Sequence, residues 1–115
     1  MQTNIQSATH KLALATSTGT YFFNPDEIVR LEASSNYTNI YFSNKKKMIT
    51  AKVLKEFEAI LQPFGFVRTH RTHLVNRQHI LCITSEGSII MKDASVAEIS
   101  RRMKSGVMRI LRNAA

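Results

Sequence analysis

The segment YTNIYF, residues 37–42, gives the clearest indication of a β fold, because all but one of its side chains are aromatic or β-branched. Such side chains favour a strand, where they pack well on a pleated, half-buried surface. Side chains alternate across a strand, so Tyr37 and Tyr41 face one side, and Thr38 and Ile40 face the other. The segment therefore predicts one strand of a sheet that has two chemically different faces.

Further strands are predicted on both sides of this segment. On the N-terminal side, Leu12 to Thr18 alternates and turns at Gly19 into three aromatic residues, which predicts a hairpin. Asn24-Pro25 then begins a helical turn that leads into a strand over residues 28–32. On the C-terminal side, the same reasoning predicts short strands at 80–84, 89–91 and 96–99.

Two segments show helical spacing instead. After Thr50 the apolar side chains recur as in an amphipathic helix, at Val53, Leu54, Phe57, Ile60 and Leu61. We expect Thr50 to cap this helix, and Pro63 with Gly65 to end it. A second series predicts a helix from Ser100 onward, at Met103, Val107, Ile110 and Leu111. The pattern as a whole predicts a small, mainly β domain with one or two helices.

Length and composition favour one folded domain. The chain has 115 residues, of which 43% are hydrophobic, enough for a single packed core. No apolar run approaches the ~20 residues of a membrane span, and a lone Cys82 fits a reducing compartment, so we expect a cytoplasmic protein with no membrane partner. The expected boundaries are a flexible leader or linker at 1–11, the domain at 12–112 and a tail at 113–115.

The positive charge is concentrated in two segments. The net charge is +8. Residues 62–80 contain arginine, and residues 100–115 contain arginine and lysine, and neither segment has any aspartate or glutamate. Charge of one sign concentrated in this way suits a polyanion, because lysine and arginine displace the counterions condensed on phosphate. A solvated basic surface that only keeps the protein in solution remains the alternative.

Neither a metal site nor an enzyme is predicted. His70, His73, His79 and Cys82 are the candidate metal ligands, but residues three apart in a strand point to opposite faces, so we expect the first two to diverge. The chain has no nucleophile elbow, no glycine-rich phosphate loop and no paired-carboxylate motif. We therefore expect no catalysis and no cofactor.

Two polar positions fit nucleic-acid chemistry better. Asn76 stands beside Arg77 where a strand should give way to a loop, and these side chain types read adenine and guanine with paired hydrogen bonds. The alternative for Asn76 is an ordinary turn. If Ser100 caps the last helix, Arg101 and Arg102 occupy its first turn, where their positive charge opposes the helix dipole. An external phosphate bound there would remove this conflict. The alternative is an uncompensated surface pair.

The segment FVRTHRTHLVN, residues 66–76, resembles the F-x-R-x-H-R-S-x-x-V-N signature of LytTR DNA-binding domains. Residues 27–38 resemble the second block of that family and residues 53–58 its helix. Residues 89–93 with 99–102 resemble its last hairpin and basic turn. The similarity runs in the same order from about residue 12 to residue 112, which makes it far more specific than one motif.

The resemblance implies a β-rich α+β fold of about ten short, mostly antiparallel strands in stacked sheets, with a short amphipathic helix and a C-terminal helix. It also implies sequence-specific binding of double-stranded DNA, through loops that read successive major grooves, by the effector module of a bacterial two-component response regulator. Carried over by position, the base-reading residues are Thr38, Asn76 and Arg101. The residues assigned to phosphate and backbone contacts are Asn36, Tyr37, Thr69, His70, Arg71, Thr72, Arg77, Ser100, Arg102 and Lys104.

The resemblance also implies partners and shows two departures. Such domains usually follow a receiver domain, for which this chain has no room, and phosphorylation of a receiver would place a homodimer on repeated promoter sites. Ala94 stands where the family commonly has glycine, and because positive φ is costly for alanine we expect a different type of turn. Thr72 replaces the usual serine and keeps its hydroxyl.

Two other functions remain open from the sequence. Tyr37 and Tyr41 could serve as stacking platforms for RNA or another single strand. The basic face could instead bind an acidic protein partner.

Overall fold

A computed structural model describes residues 11–112, so the predicted tail and all of the predicted leader except Lys11 lie outside the described residues. The strands are β1 (Leu12–Thr16), β2 (Gly19–Phe23), β3 (Ile28–Ser34), β4 (Tyr37–Phe42), β5 (Lys47–Thr50), β6 (Phe66–His70), β7 (His73–Asn76), β8 (Ile80–Ile83), β9 (Ser88–Met91) and β10 (Val96–Glu98). The helices are α1 (Leu54–Leu61) and α2 (Lys104–Arg112), and 3-10 turns lie at Pro25–Glu27, Gln62–Phe64 and Arg77–His79.

The strands form three antiparallel sheets. The central sheet has five strands in the order β5-β4-β3-β7-β6, flanked by the hairpin β1-β2 and by a three-stranded sheet in the order β10-β9-β8. The predicted mainly β fold with about ten short antiparallel strands and two helices is confirmed. Neither helix of the described chain is long and apolar enough to cross a membrane.

The central sheet is covered on both faces. Leu31, Ile40 and Leu74 belong to one core, which α1 and the β1-β2 hairpin complete. Val75, the neighbour of Leu74, belongs to a second core with side chains of β9, β10 and α2. Because neighbouring residues of a strand point to opposite faces, all four residues of β7 are buried.

The start of α1 and the strand before it differ from the predictions. Thr50 ends β5, and its Oγ1 accepts a hydrogen bond from the Lys52 N–H at 3.1 Å, so Thr50 does not cap α1. The residue before α1 is Val53, which has no capping side chain. Strand β5 was not predicted, because its lysine-rich start reads as an exposed turn, yet it pairs with β4 along its whole length.

The basic segment near the C-terminus forms a turn first, and the helix begins after this turn. The Met103 N–H donates to Ser100 Oγ at 3.1 Å, which is the capping contact that the sequence predicts. However, α2 begins only at Lys104, so Arg101 and Arg102 lie in the preceding turn and not in its first helical turn. Their guanidinium groups belong to a loop.

Ala94 adopts a φ of +75°, the left-handed region that usually contains glycine. The expectation that alanine would force another type of turn is therefore wrong. Residues 92–95 connect β9 to β10, and Asp93 Oδ1 accepts hydrogen bonds from the Ser95 N–H and hydroxyl. Although partial burial acts to raise the pKa of Asp93, these hydrogen bonds and nearby positive charges lower it below its usual value.

We predict that Ala94→Gly raises the free energy of unfolding by roughly 0.5–1 kcal/mol. The substitution removes the contact of Cβ with the following carbonyl, and the greater freedom of glycine in the unfolded chain offsets part of the gain. Urea titration measures the difference. Ala15→Gly, in the exposed face of β1, is the matched control and should destabilise the domain. A less stable Ala94→Gly variant would contradict the prediction.

Candidate nucleic-acid interface

The β3–β4 turn and the β6–β7 turn lie side by side at one end of the central sheet. Strand β3 pairs antiparallel with both β4 and β7, so the end of β3 is shared by the two turns. The Ala33 N–H donates to the Thr72 carbonyl at 2.9 Å, and this bond joins them. Two turns that are 36 residues apart in the chain, near Ser35 and near Arg71, therefore form one surface.

A third loop joins this surface from the three-stranded sheet. The Ser100 N–H donates to the Thr69 carbonyl at 2.8 Å, and Thr69 Oγ1 donates to the Glu98 carbonyl at 2.9 Å. Strand β10 and the loop that follows it are thereby held against the end of β6. We call the surface formed by residues 34–37, 70–72 and 99–102 the loop face.

The loop face carries exposed cationic side chains. Arg71 is exposed in the β6–β7 turn, and Arg101 and Arg102 are exposed in the loop after β10. Arg71 and Arg102 line one groove together with His70 and Ser100. Asn36 and Tyr37 are exposed on the neighbouring β3–β4 turn, and Lys104 is exposed at the start of α2. The structure thus brings together most of the residues that the sequence assigned to DNA.

Asn76 is not among them. Its side chain is 1% exposed, its Oδ1 accepts the Gln78 N–H at 3.0 Å, and its Nδ2 donates to the Ile28 carbonyl at 2.9 Å. Both ends of the amide are occupied by main-chain groups, so it cannot form the paired hydrogen bonds that read a base. The base-reading prediction for Asn76 is wrong in this structure, which supports the alternative of a turn-forming residue.

Thr38 and Thr69 are also interior residues. Both are fully buried, and Thr38 Oγ1 donates to the Lys52 carbonyl at 2.7 Å. The predicted base contact of Thr38 and the predicted phosphate contact of Thr69 are therefore corrected, since neither hydroxyl reaches the surface. The alternation in β4 already places Thr38 on the same face as Ile40, which is a core residue.

His70 and His73 come together, contrary to the prediction that they diverge. They are partners across the β6–β7 turn, and their rings meet edge to face with centroids 5.7 Å apart. Thr72 Oγ1 lies between them, 2.8 Å from Nδ1 of His70 and 2.9 Å from Nδ1 of His73. Within residues 11–112 no three potential ligands cluster as they would around a metal ion.

A partly buried charge network continues from this pair into the sheet. His73 Nε2 lies 3.8 Å from Glu32 Oε1, which accepts a 2.7 Å hydrogen bond from Arg30 Nη1. The Arg30 guanidinium lies 4.1 Å from the centre of the Tyr41 ring and covers it. Burial lowers the pKa of His73 below 6.5, an effect that the nearby Glu32 carboxylate opposes only in part.

Arg77 is tied to the C-terminal helix. Its Nη2 donates to the Ile110 carbonyl, and its Nε is buried without a hydrogen-bond partner among the described residues. It lines a groove with Arg102 and Arg109 but lies on the 3-10 turn after β7, outside the loop face.

Arg68 is the residue that sequence reasoning missed. Its guanidinium donates to the main-chain carbonyls of His70 and Arg71 and to the Glu58 carboxylate. The sequence signal that could have identified it is its position in the motif at residues 66–76, two residues before His70.

A mainly β scaffold with exposed arginines gathered at one end has the charge distribution of a nucleic-acid-binding protein. Residues 18–112 match the LytTr DNA-binding domain family. The chain therefore belongs to this family of DNA-binding domains, which confirms the resemblance found in its sequence.

A solved structure has the same fold. It is the LytTr DNA-binding domain of a candidate methyl-accepting/DNA response regulator from Bacillus cereus, with a TM-score of 0.71 and 23% sequence identity. The similarity covers 90% of this chain and 96% of that one. No curated protein matches the chain.

We predict that Asn76→Ala destabilises the domain by ~1–3 kcal/mol, because the Ile28 and Pro25 carbonyls and the Gln78 N–H lose their hydrogen-bond partner. Urea unfolding measures the loss. Asn36→Ala, at an exposed position of the β3–β4 turn, is the control and should stay within about 0.5 kcal/mol of the parent. Equal stability of the two variants would contradict the structural role of Asn76.

We predict that the domain loses stability as the pH falls below 6.5. The pKa of His73 is lower in the folded than in the unfolded state, so the unfolded chain binds its proton first and acid favours unfolding. Urea midpoints at pH 7.5, 6.5 and 5.5 test this, with His73→Gln as the comparison. The variant should show a flatter pH profile, and equal slopes in both proteins would contradict the assignment to His73.

Proposed function

We propose that this chain is the effector module of a bacterial transcriptional response regulator and binds double-stranded DNA in a sequence-specific manner. The observation that carries the proposal is the loop face, where exposed arginines from two loops stand beside an exposed β3–β4 turn. Loops at the end of a rigid sheet project far enough to enter a wide major groove. Family membership supports the same conclusion.

Arg101 and Arg71 are the proposed base-reading residues. Both are exposed on loops, whereas the amide of Asn76 is buried and fully bonded. A guanidinium group binds O6 and N7 of guanine through two parallel hydrogen bonds, so each arginine suits one guanine. We therefore assign to Arg71 the base-reading role that the sequence assigned to Asn76, because Arg71 lies in the turn of the β6–β7 hairpin.

The proposed phosphate contacts surround these two arginines. Arg102 and Lys104 supply charge. Polar groups of the loop face supply hydrogen bonds, from the exposed Asn36 and Tyr37 and the half-buried His70, Thr72 and Ser100. Such contacts set the position of the protein on the duplex and contain no sequence information. Thr69 and Arg77 do not belong to this set, because the first is buried and the second is bonded to α2.

We further propose that two copies of the module bind repeated promoter sites in the cytoplasm, under the control of a receiver domain outside this chain. Neighbouring copies on one face of the duplex require sites about one helical turn apart, ~10.5 base pairs. The spacing of selected sites tests this part independently of the base contacts.

We predict that Arg101→Ala and Arg71→Ala each weaken binding to the preferred duplex by ~1–3 kcal/mol and relax specificity at one base position. Selection from a randomised duplex pool first identifies the preferred site, and fluorescence anisotropy at fixed salt then gives the affinities. A random-sequence duplex is the control, on which the loss should be much smaller. If either variant weakens binding to both duplexes equally, that arginine does not read bases.

The runner-up function is binding of RNA or another single strand through Tyr37 and Tyr41. Of these two tyrosines only Tyr37 is exposed, because the Arg30 guanidinium covers the ring of Tyr41. A single platform gives less base stacking than a series of them. Competition between duplex and single-stranded DNA at matched salt decides between the two functions. Binding that is tight only to an acidic protein, with little salt-dependent binding to DNA, would favour the protein-interaction alternative.

A further inference from the structure

Arg68 makes an unusual set of contacts just below the loop face. Its Nε donates to the His70 carbonyl at 2.9 Å, and its Nη2 donates to the Arg71 carbonyl at 2.6 Å. Its Nη1 donates to Glu58 Oε1 on α1 at 2.7 Å. The side chain is only 18% exposed. One guanidinium therefore holds two successive main-chain carbonyls of the β6–β7 turn and is itself held from a helix.

The turn needs such support because the strand pairing is irregular there. The register between β6 and β7 shifts between Arg68 and His70, so the regular ladder does not continue to the end of the hairpin. A planar guanidinium has fixed donor directions and loses little freedom for each hydrogen bond that it forms. Arg68 thus replaces ladder bonds at the point from which Arg71 projects.

We propose that Arg68 is a positioning residue for sequence recognition, which fixes the main chain at residues 70–71 so that Arg71 enters the groove in one orientation. Arg68 acts through Arg71 and does not itself bind DNA. Its charge is paired with Glu58, and its Nε and Nη2 are occupied by the two carbonyls, although the side chain also lines the groove that Arg71 and Arg102 share. This inference rests on the proposed function and adds a residue beneath the interface that determines its specificity.

The first experiment compares wild-type protein with Arg68→Lys on the preferred and the random-sequence duplex. Lysine keeps the positive charge, but its ammonium group lacks the fixed donor directions with which a guanidinium group binds two carbonyls. We expect the affinity for the preferred duplex to fall about tenfold or more, a loss similar to that of one base contact, while the affinity for random sequence changes by less than about threefold. Equal losses on both duplexes would overturn the proposal, because a general folding defect lowers both.

The second experiment is a double-mutant cycle with Arg71→Ala. If Arg68 acts only through Arg71, then Arg68→Lys has no further effect once the Arg71 side chain is gone. Additive losses would show that the two residues act independently, and would overturn the proposal.

The third experiment asks whether Arg68 touches phosphate. Arg68→Gln should leave the slope of log affinity against log salt unchanged, whereas loss of a phosphate contact reduces it by about 1. A reduced slope overturns the proposal. Should Arg68→Gln fail to fold, as shown by its thermal unfolding curve, the Arg68→Lys cycle decides alone.

Glu58→Gln is the matched control, since it removes the charge of the ion pair but leaves both carbonyl bonds of Arg68 in place. Because Glu58 is 42% exposed, the pair is screened, and we expect the preference to change by less than about threefold. Failure of the proposed function is seen separately, as absence of any preferred duplex for the wild-type protein. A wild-type preference that persists unchanged in Arg68→Lys overturns this inference alone.

Discussion

The antiparallel pairing of β3 with both β4 and β7 is the constraint on which the rest of the structure depends. It sets the β3–β4 turn beside the β6–β7 turn, and the Ala33–Thr72 main-chain hydrogen bond closes the contact between them. It also makes β7 a central strand, buried on both faces, so that two separate cores form above and below it. Without this pairing, the β3–β4 turn and the β6–β7 turn would not lie side by side at one end of the sheet.

Buried polar groups hold this end of the central sheet in place. The side chains of Thr38 and Thr69 bond main-chain groups of a neighbouring segment, and Arg68 does the same for the β6–β7 turn. Asn76 makes bonds of this kind at the opposite end of β7. A buried polar side chain that has all its partners holds one geometry, since any other arrangement leaves a group unpaired. A rigid edge binds with less loss of conformational entropy, which favours specific contacts by the exposed arginines.

Much of the fold could be predicted from local pattern. The strand at residues 37–42, the first hairpin and the helical turn that begins at Asn24-Pro25 all agree with the structure, because each depends on side chains close together in the chain. The errors have a common cause. The errors concern strand β5, the pairing of His70 with His73 and the burial of Asn76. Each of these depends on which other segment of the chain lies beside the residue, and local sequence does not contain that information.

For the interface, the amino-acid sequence already indicates the chemistry: it is a basic chain whose arginines flank short strands, and it has a motif specific enough to indicate its family. Which of those residues face outward depends on the folded arrangement of the strands. Asn76 and Arg71 belong to the same eleven-residue motif, yet the first is 1% exposed and the second lies on the surface. The physical reason is that exposure depends on sheet order and on the packing of both faces, which involve segments distant in the chain.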